Sequence, residues 1–146
     1  MAVKKNSPKL SVNTTPDKIN SLISRGVENI YPSKDFLRAK LGKGERLKVY
    51  LGIDPTSPTL HLGHSITLKK LKEFQDLGHR VCLLIGDFTG MIGDPTDKTA
   101  TRKRLTWEEV IKNAFLYKEQ AGIFLSFEGD SAAEIKHNSE WLSKMN

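Results

Sequence analysis

The chain has 146 residues, of which 38% are hydrophobic and 27% charged, and its formal net charge is +6. This length and composition are typical of one soluble globular domain, and the basic charge suits a polyanionic partner such as a nucleotide or RNA. The longest apolar run, residues 81–85, is too short to cross a bilayer, and no apolar segment follows the first lysines as in a secretory signal. We therefore expect a cytoplasmic protein without a membrane partner.

Residues 1–45 are predicted to form a polar leader and two short helices. The first helix is expected to start at Thr15, just before a proline, and to stop at Gly26. Its inward-facing residues are Ile19, Leu22 and Ile23. The second is expected to be capped by Ser33 and to end at the glycines of residues 42–44. Its inward-facing residues are Phe36, Leu37 and Leu41.

Residues 46–146 are predicted to form an α/β domain that begins with a strand, a helix and a second strand. The apolar spacing predicts the first strand over residues 46–51, the helix over residues 64–77 and the second strand over residues 80–86. This order makes a βαβ unit with parallel strands. The single cysteine, Cys82, lies in the second strand, which fits a buried side chain in a reducing compartment.

The remainder of the chain predicts further helices and a third strand. Thr106 is expected to cap a helix that runs past residue 114. Its apolar positions are Trp107, Val110, Ile111, Ala114, Phe115 and Tyr117. Residues 123–127 are predicted to form the third strand. A short extended piece over residues 134–137 and a helix starting at Ser139 are expected to follow.

Residues 52–64 form the most distinctive stretch, GIDPTSPTLHLGH, between the first strand and its helix. Gly52 and Gly63 permit close approach of the backbone, and two prolines stiffen the turn between them. His61 and His64 stand where the helix begins, so that free N–H groups and imidazole donors meet at one place. The pattern predicts a phosphate-binding site. Considered in isolation, the two residues would be better explained as ordinary loop and helix-start histidines, but the surrounding glycines and prolines favour the binding site.

These motifs together resemble one family. HLGH at residues 61–64 resembles the His-x-Gly-His signature of class I aminoacyl-tRNA synthetases. It is preceded by YLGIDPT at residues 50–56 and followed by GDFTGMIGDP at residues 86–95. The combination is similar to the bacterial tyrosyl-tRNA synthetases over most of residues 48–110 and more loosely to the end.

The resemblance implies a Rossmann-like nucleotide-binding fold, with a parallel sheet, flanking helices and an N-terminal helical segment. It implies that residues 46–146 are the first half of the catalytic domain, so we expect a truncated, N-terminal part of the enzyme. The implied activity of the complete enzyme, a homodimer, is ATP-dependent activation of L-tyrosine to tyrosyl-adenylate and transfer to tRNA(Tyr). ATP is then a substrate accompanied by Mg²⁺, and no tightly bound cofactor is expected. The chain alone is expected to be inactive.

The implied chemistry is attack of an amino-acid carboxylate on the α-phosphate of ATP, which places growing charge on the departing pyrophosphate. Positioned donors and cations suit this step, and no nucleophilic side chain is needed. By resemblance, the catalytic residues are Thr56, His61, His64, Lys98 and Arg102. The residues that bind the substrate tyrosine are Tyr50, Thr89 and Asp94. The residues that bind ATP or the adenylate are Gly52, Asp54, Gly63 and His64. No metal-ligating residue is predicted, because no further histidine or cysteine stands near the pair.

Several of these assignments have a purely structural alternative. Asp94 could hold a turn, since Asp-Pro is common in turns, and Tyr50 could line the core. The basic run of residues 98–104 could be a solvated loop. For the whole chain, the alternatives are a non-catalytic nucleotide-binding or interaction fragment and another nucleotidyltransferase with the His-x-Gly-His motif. The tyrosine-type loop of residues 87–94 disfavours the second.

Overall fold

A computed structural model describes residues 11–92 and 104–145. The helices within them are α1 (Pro16–Leu22), α2 (Lys34–Gly42), α3 (Leu62–Asp76), α4 (Asp87–Ile92), α5 (Trp107–Ala114), α6 (Tyr117–Ala121) and α7 (Ser139–Leu142). The strands are β1 (Lys48–Ile53), β2 (Arg80–Ile85) and β3 (Glu134–His137). This is the predicted α/β class, with an N-terminal helical segment and a sheet flanked by helices.

The strands form one parallel sheet in the order β1-β2-β3. Ile53 lies opposite Ile85, and Ile85 lies opposite His137, so the three strands finish level with one another. Because all three run in the same direction, their carboxyl ends meet at a single edge of the sheet. Ligands of parallel α/β sheets bind at this edge.

The two faces of the sheet differ because side chains alternate along each strand. One face belongs to the main core, which also contains residues of α3, of α6 and of the segment after α6. The buried members of this core are Ile53, Leu68, Leu71, Val81, Leu83, Ile85, Tyr117, Ala121, Leu125 and Ala133. On β1, the opposite face carries Lys48, Tyr50 and Gly52, and the Lys48 ammonium pairs with Glu134 at 3.2 Å.

The N-terminal helices pack on the sheet domain through a second, smaller core. Its buried residues are Ile19, Leu22, Ile23, Leu41 and Leu77. The Lys70 ammonium on α3 donates to the carbonyl oxygens of Leu22 and Arg25, both at 2.9 Å, and so holds the C-terminal end of α1. Part of α3 is therefore covered by the helices that precede the first strand.

Most predicted elements are confirmed, with ends that differ by a few residues. At the start of α2 the Ser33 hydroxyl accepts the N–H of Phe36 at 3.1 Å. At the start of α5, Thr106 and Glu109 each accept the other's backbone N–H. β1 extends to Ile53, beyond its predicted end.

The predicted third strand over residues 123–127 is wrong. The side-chain amide of Gln75 donates to the Ser126 carbonyl at 2.7 Å and accepts the Ser126 N–H at 3.0 Å, so it takes the place of a neighbouring strand. The segment is irregular, although its Leu125 side chain is buried in the main core. The third strand is instead Glu134–His137, where only a short extended piece was expected.

Three smaller expectations also differ from the structure. Phe36 is 49% exposed, because Leu37 and Leu41 fill the small core beside α2. The helix that starts after Thr106 is divided into α5 and α6, since Tyr117 turns into the main core while Phe115 faces outward. The helix α4 directly after β2 was not predicted.

Candidate active site

The carboxyl ends of β1 and β2 bring Asp54, Gly86 and Thr89 together. The Gly86 N–H donates to the carbonyl of Ile53 at 2.9 Å, and the Thr89 hydroxyl donates to Asp54 Oδ1 at 2.7 Å. A Cβ atom at residue 86 would lie 1.8 Å from Asp54 Oδ1 and 2.6 Å from the Thr89 hydroxyl oxygen. Glycine at this position therefore leaves the space in which the Asp54 carboxylate lies.

The end of β3 joins the same hydrogen-bond chain through Asn138. The Asn138 amide donates to the Thr89 hydroxyl oxygen at 2.9 Å, and its oxygen accepts the N–H of Phe88 at 2.9 Å. The Asn138 N–H donates to the carbonyl of Ile85 at 2.9 Å. Asn138, Thr89 and Asp54 thus link the three strand ends and fix the direction of the Asp54 carboxylate.

Asp87 anchors the segment after β2 to the segment after β3. Its carboxylate is 2% exposed and accepts the Ser139 N–H at 2.9 Å, the Ser139 hydroxyl at 2.7 Å and the Phe88 N–H at 3.0 Å. It also lies 3.0 Å from His137 Nδ1. Burial by itself raises the pKa of Asp87, but the hydrogen bonds from Ser139 and His137 outweigh it and hold that pKa below its ordinary value. Asp87 is therefore an ionised crosslink below the site.

His61 and His64 cap α3 reciprocally. His61 Nδ1 accepts the N–H of Gly63 at 3.1 Å, and His64 Nδ1 accepts the N–H of His61 at 3.1 Å. The two rings stack with centroids 3.9 Å apart. A Cβ atom at Gly63 would lie 2.9 Å from His61 Cε1, so glycine allows the ring to lie across the first turn. The pair occupies the positive end of a 15-residue helix.

This capping decides which nitrogens of the pair can act on a ligand. Because both Nδ1 atoms accept an N–H group, each neutral ring carries its proton on Nε2. Burial and the neighbouring imidazole of His61 lower the pKa of His64, which favours its neutral form. The pair therefore presents two Nε2–H donors at the start of α3. Such donors suit the oxygens of an anion.

The loop between Asp54 and His61 rests on α5 and α6. Three polar side chains on these helices donate to carbonyl oxygens of the loop, and they are Asn113, Tyr117 and Gln120. Sequence reasoning assigned no role to Asn113 and Gln120 and treated Tyr117 as an apolar core residue. The three residues are four and three positions apart, and this helical spacing is the one sequence signal that could have placed them on the same face.

Residues 42–146 match the family model described as "tRNA synthetases class I (W and Y)". The chain belongs to this family. Together with the parallel sheet, the solved relatives of the family place the chain in the predicted Rossmann-like fold class.

Named relatives of the synthetase family are similar over most of the chain. The tyrosine–tRNA ligase of Carboxydothermus hydrogenoformans is 50% identical over 127 residues, which are 85% of this chain and 30% of that protein. The tyrosine–tRNA ligase of Idiomarina loihiensis is 54% identical over 123 residues, or 84% of this chain and 30% of the relative. This chain therefore spans about 30% of the length of the curated relatives it matches.

A solved structure gives the same relationship at the level of the fold. Tyrosyl-tRNA synthetase from Archaeoglobus fulgidus, solved in complex with L-tyrosine, is 27% identical and superposes with a TM-score of 0.65. The alignment covers 86% of this chain and 35% of that chain.

The structure places the remaining synthetase-type residues as follows. Thr56 is exposed next to Asp54, whose carbonyl accepts the Thr56 N–H at 2.8 Å. Tyr50 lies within β1 and is 69% exposed, so it is not a core residue. Gly52 follows Tyr50 on the same face of β1 and leaves that face without a side chain between Tyr50 and Asp54.

The other predicted site residues cannot be placed. Lys98, Arg102 and Asp94 lie outside the described residues, and their roles stay predictions. Within residues 11–92 and 104–145, no three histidine, cysteine or carboxylate side chains come together so that they could hold a metal ion. In the same part of the chain, no helix has the length and apolar character needed to cross a membrane.

Proposed function

We propose that this chain is the N-terminal part of a tyrosine–tRNA ligase, which activates L-tyrosine with ATP and transfers it to tRNA(Tyr). The observation that carries the proposal is the reciprocal cap of His61 and His64, which occupies both Nδ1 atoms and leaves Nε2–H as the donor of each neutral ring at the start of α3. The names of relatives at 50% identity support tyrosine as the amino acid.

In the proposed reaction, a carboxylate oxygen of tyrosine forms a bond to the α-phosphorus of ATP. The bond from that phosphorus to the bridging oxygen breaks, and pyrophosphate leaves with the negative charge. The donors of His61 and His64, with the hydroxyl of Thr56, stabilise this charge as it grows. Lys98 and Arg102 add positive charge from the basic segment. The proposal needs no covalent intermediate with the protein.

The tyrosine substrate is proposed to lie along the face of β1 that carries Tyr50 and Gly52. Asp54 directly follows β1 and is four residues from Tyr50, or about 13 Å between Cα atoms for extended backbone. The Tyr50 hydroxyl then meets the substrate phenol, and Asp94 receives its ammonium group. Thr89 lies beside the substrate and holds Asp54, whose carboxylate contacts the adenylate.

The further partners of the complete enzyme belong to the same proposal. We infer that ATP enters with Mg²⁺ bound to its phosphate oxygens, because Mg²⁺ usually binds through substrate phosphates and one or two carboxylates and Asp54 is an exposed carboxylate at the site. We also infer a homodimer in the cytoplasm without a tightly bound cofactor, with residues 46–146 as the first half of the catalytic domain. The family match from residue 42 onward supports this boundary.

The test separates the donor role of the histidines from their capping role. His61→Asn keeps a side-chain acceptor for the helix start, because asparagine is among the best N-cap residues, but it removes the Nε2–H donor. The variant is made in a chimera in which this chain replaces the matching segment of the Carboxydothermus hydrogenoformans ligase. Single-turnover formation of tyrosyl-adenylate should slow by about 10²-fold or more, while tyrosine affinity is retained.

The matched control is Lys69→Ala, an exposed change on the same helix, which should leave the rate unchanged. A normal rate in both His61→Asn and His64→Gln would show that the pair only caps the helix, and the proposed chemistry would be wrong. Tyrosine-dependent ATP–pyrophosphate exchange by the isolated 146-residue chain would contradict its expected inactivity.

A further inference from the structure

The loop that carries Thr56 to His61 has little backbone structure of its own. Within the described residues, the loop's internal backbone hydrogen bond is the one from the Thr56 N–H to the Asp54 carbonyl. Pro55 directly precedes it and Pro58 lies within it, and neither proline has an N–H to donate. Within the loop, the Ser57 hydroxyl also donates to the Thr59 carbonyl at 2.8 Å, and the other side-chain bonds to its carbonyl oxygens come from α5 and α6.

One face of α5 and α6 supplies these groups, and we name it the loop-holding face. Its residues are Asn113, Tyr117 and Gln120. The Asn113 amide donates to the carbonyl of Pro55 at 3.0 Å, and the Tyr117 hydroxyl donates to the carbonyl of Ser57 at 2.7 Å. The positions are four and three residues apart, so they continue one helical face across the junction of the two helices.

Gln120 fixes the end of the loop nearest to the histidines. Its amide nitrogen donates to the carbonyl of Pro58 at 3.0 Å, and its amide oxygen accepts the N–H of Leu60 at 2.7 Å. The two bonds define both the position and the direction of the backbone directly before His61. A single side chain therefore decides how the chain enters the histidine cap.

Tyr117 gives the face a rigid base. Its ring is 1% exposed and belongs to the main core, so only its hydroxyl reaches the loop. Burial, the largest effect, raises the pKa of Tyr117, and the phenol stays protonated and can donate. The loop is thus fastened to the main core.

We propose that Asn113, Tyr117 and Gln120 are positioning residues. These side chains hold Thr56 and His61 where the two residues meet the phosphate oxygens of ATP. This proposal rests on the proposed ligase function. It places the control of the chemical step on side chains that do not touch the substrate. An error of about 1 Å in such a site is enough to slow a reaction considerably.

The experiment compares two pairs of chemically identical changes in the ligase chimera. Tyr117→Phe removes one hydroxyl on the loop-holding face, and Tyr31→Phe removes one at an 86% exposed position before α2. Gln120→Met removes two bonds to the loop. Gln75→Met removes two bonds to Ser126 and one to Ser131, on a segment outside the site. Adenylate formation at saturating ATP, tyrosine affinity and thermal stability are measured for each.

We expect Tyr117→Phe and Gln120→Met to slow adenylate formation by about threefold to tenfold per lost bond, the fold-change that matches the net free energy of one neutral hydrogen bond. Tyrosine affinity should change by less than about twofold, since each change is confined to the phosphate side. Gln75→Met should lower the thermal stability at least as much as Gln120→Met does, because Gln75 is buried and loses three bonds, and should leave the rate intact. A rate that falls equally in the two glutamine variants, or in neither, would overturn the proposal.

Hydrogen exchange makes the result independent of the proposed function. If the parent chimera forms no tyrosyl-adenylate, the ligase proposal is wrong, and the loop is judged by amide exchange in residues 56–61. Exchange there should be faster in Tyr117→Phe and Gln120→Met than in Gln75→Met. Equal exchange in all three variants would show that the face does not hold the loop.

Discussion

A hydrogen atom on the Cα of Gly86 allows the Asp54 carboxylate to lie against the end of β2. The nearest contact of an added Cβ atom, 1.8 Å, is with the carboxylate oxygen that accepts the Thr89 hydroxyl. Any other residue must therefore move Asp54 or break its bond to Thr89. Much of the geometry of the site depends on this one position.

Gly86→Ala should therefore disturb stability and chemistry together. We expect a loss of about 0.5–1.5 kcal/mol in the free energy of unfolding, the net contribution of the Asp54–Thr89 hydrogen bond that the moved carboxylate gives up, and a large loss of adenylate formation. Gly42→Ala is the matched control, because an added Cβ atom there meets nothing within 4 Å. Denaturant unfolding of both variants and of the parent chimera measures the difference. Equal stability of the two variants would contradict the close contact at Gly86.

Tyr50 is the residue at which amino-acid specificity can be tested without disturbing the fold. Its side chain is 69% exposed, so Tyr50→Phe removes a hydroxyl that is not part of the core. The preference for tyrosine over phenylalanine in kcat/KM should fall by about 0.5–1.5 kcal/mol, the net contribution of one neutral hydrogen bond. Tyr31→Phe should leave the preference unchanged. An unaltered ratio in Tyr50→Phe would remove Tyr50 from the proposed tyrosine site.

At the scale of elements, the sequence predicts best where capping and apolar period agree. α3 combines the histidine cap with Leu68 and Leu71 at its buried face, and β2 is an apolar run covered on both sides. Because parallel strand ends share an edge, the proximity of Asp54 and Thr89 could be expected before the structure was known. The predictions of α3 and β2 require no information from distant parts of the chain.

The elements that were missed depend on contacts between distant residues. Residues 123–127 have the apolar composition of a strand, but Gln75 binds the backbone of Ser126 and keeps the segment out of the sheet. β3 is short and contains a glutamate and a lysine, since part of it faces away from the core. With β3 misplaced, Asn138 could not be joined to Thr89. For the same reason Asp87 could not be matched with His137.

At the scale of the whole molecule, the two ends of the sheet have different chemistry. The carboxyl edge carries the exposed polar groups of the candidate site. Near the opposite edge, His79 is fully buried just before β2, and its Nδ1 accepts the N–H of Leu47 at 3.3 Å. Its Nε2 has no hydrogen-bond partner among the described residues. His79 therefore joins the start of β2 to Leu47, which precedes β1 and packs against the small N-terminal core. The joining group is a polar imidazole that water does not reach.

Burial, followed by the nearby positive charge of Arg46, lowers the pKa of His79 in the folded protein. The unfolded chain binds a proton at this residue near pH 6.5, about the ordinary value for histidine, and the folded chain does not. The stabilising contribution of neutral His79 is complete above that pH and is lost as the pH falls towards the lowered pKa. The free energy of unfolding should thus decrease between about pH 7 and pH 5, by at most ~1.4 kcal/mol per pH unit for this one proton.

His79→Gln tests this prediction, because glutamine keeps an acceptor for the Leu47 N–H and does not titrate. The thermal midpoint of the parent chimera should fall more steeply than that of the variant between pH 7.5 and pH 5.5, which lie about one unit above and one unit below the ordinary histidine pKa of about 6.5. His64→Gln is the matched control: the pKa of His64 is also lowered, but its ring is only half-buried, so less of the pH dependence should disappear. Asp87 loses its own contribution only at lower pH, since its pKa lies below the ordinary value for a carboxyl group. If His79→Gln retained the full pH dependence of the parent, the buried histidine would not be its source.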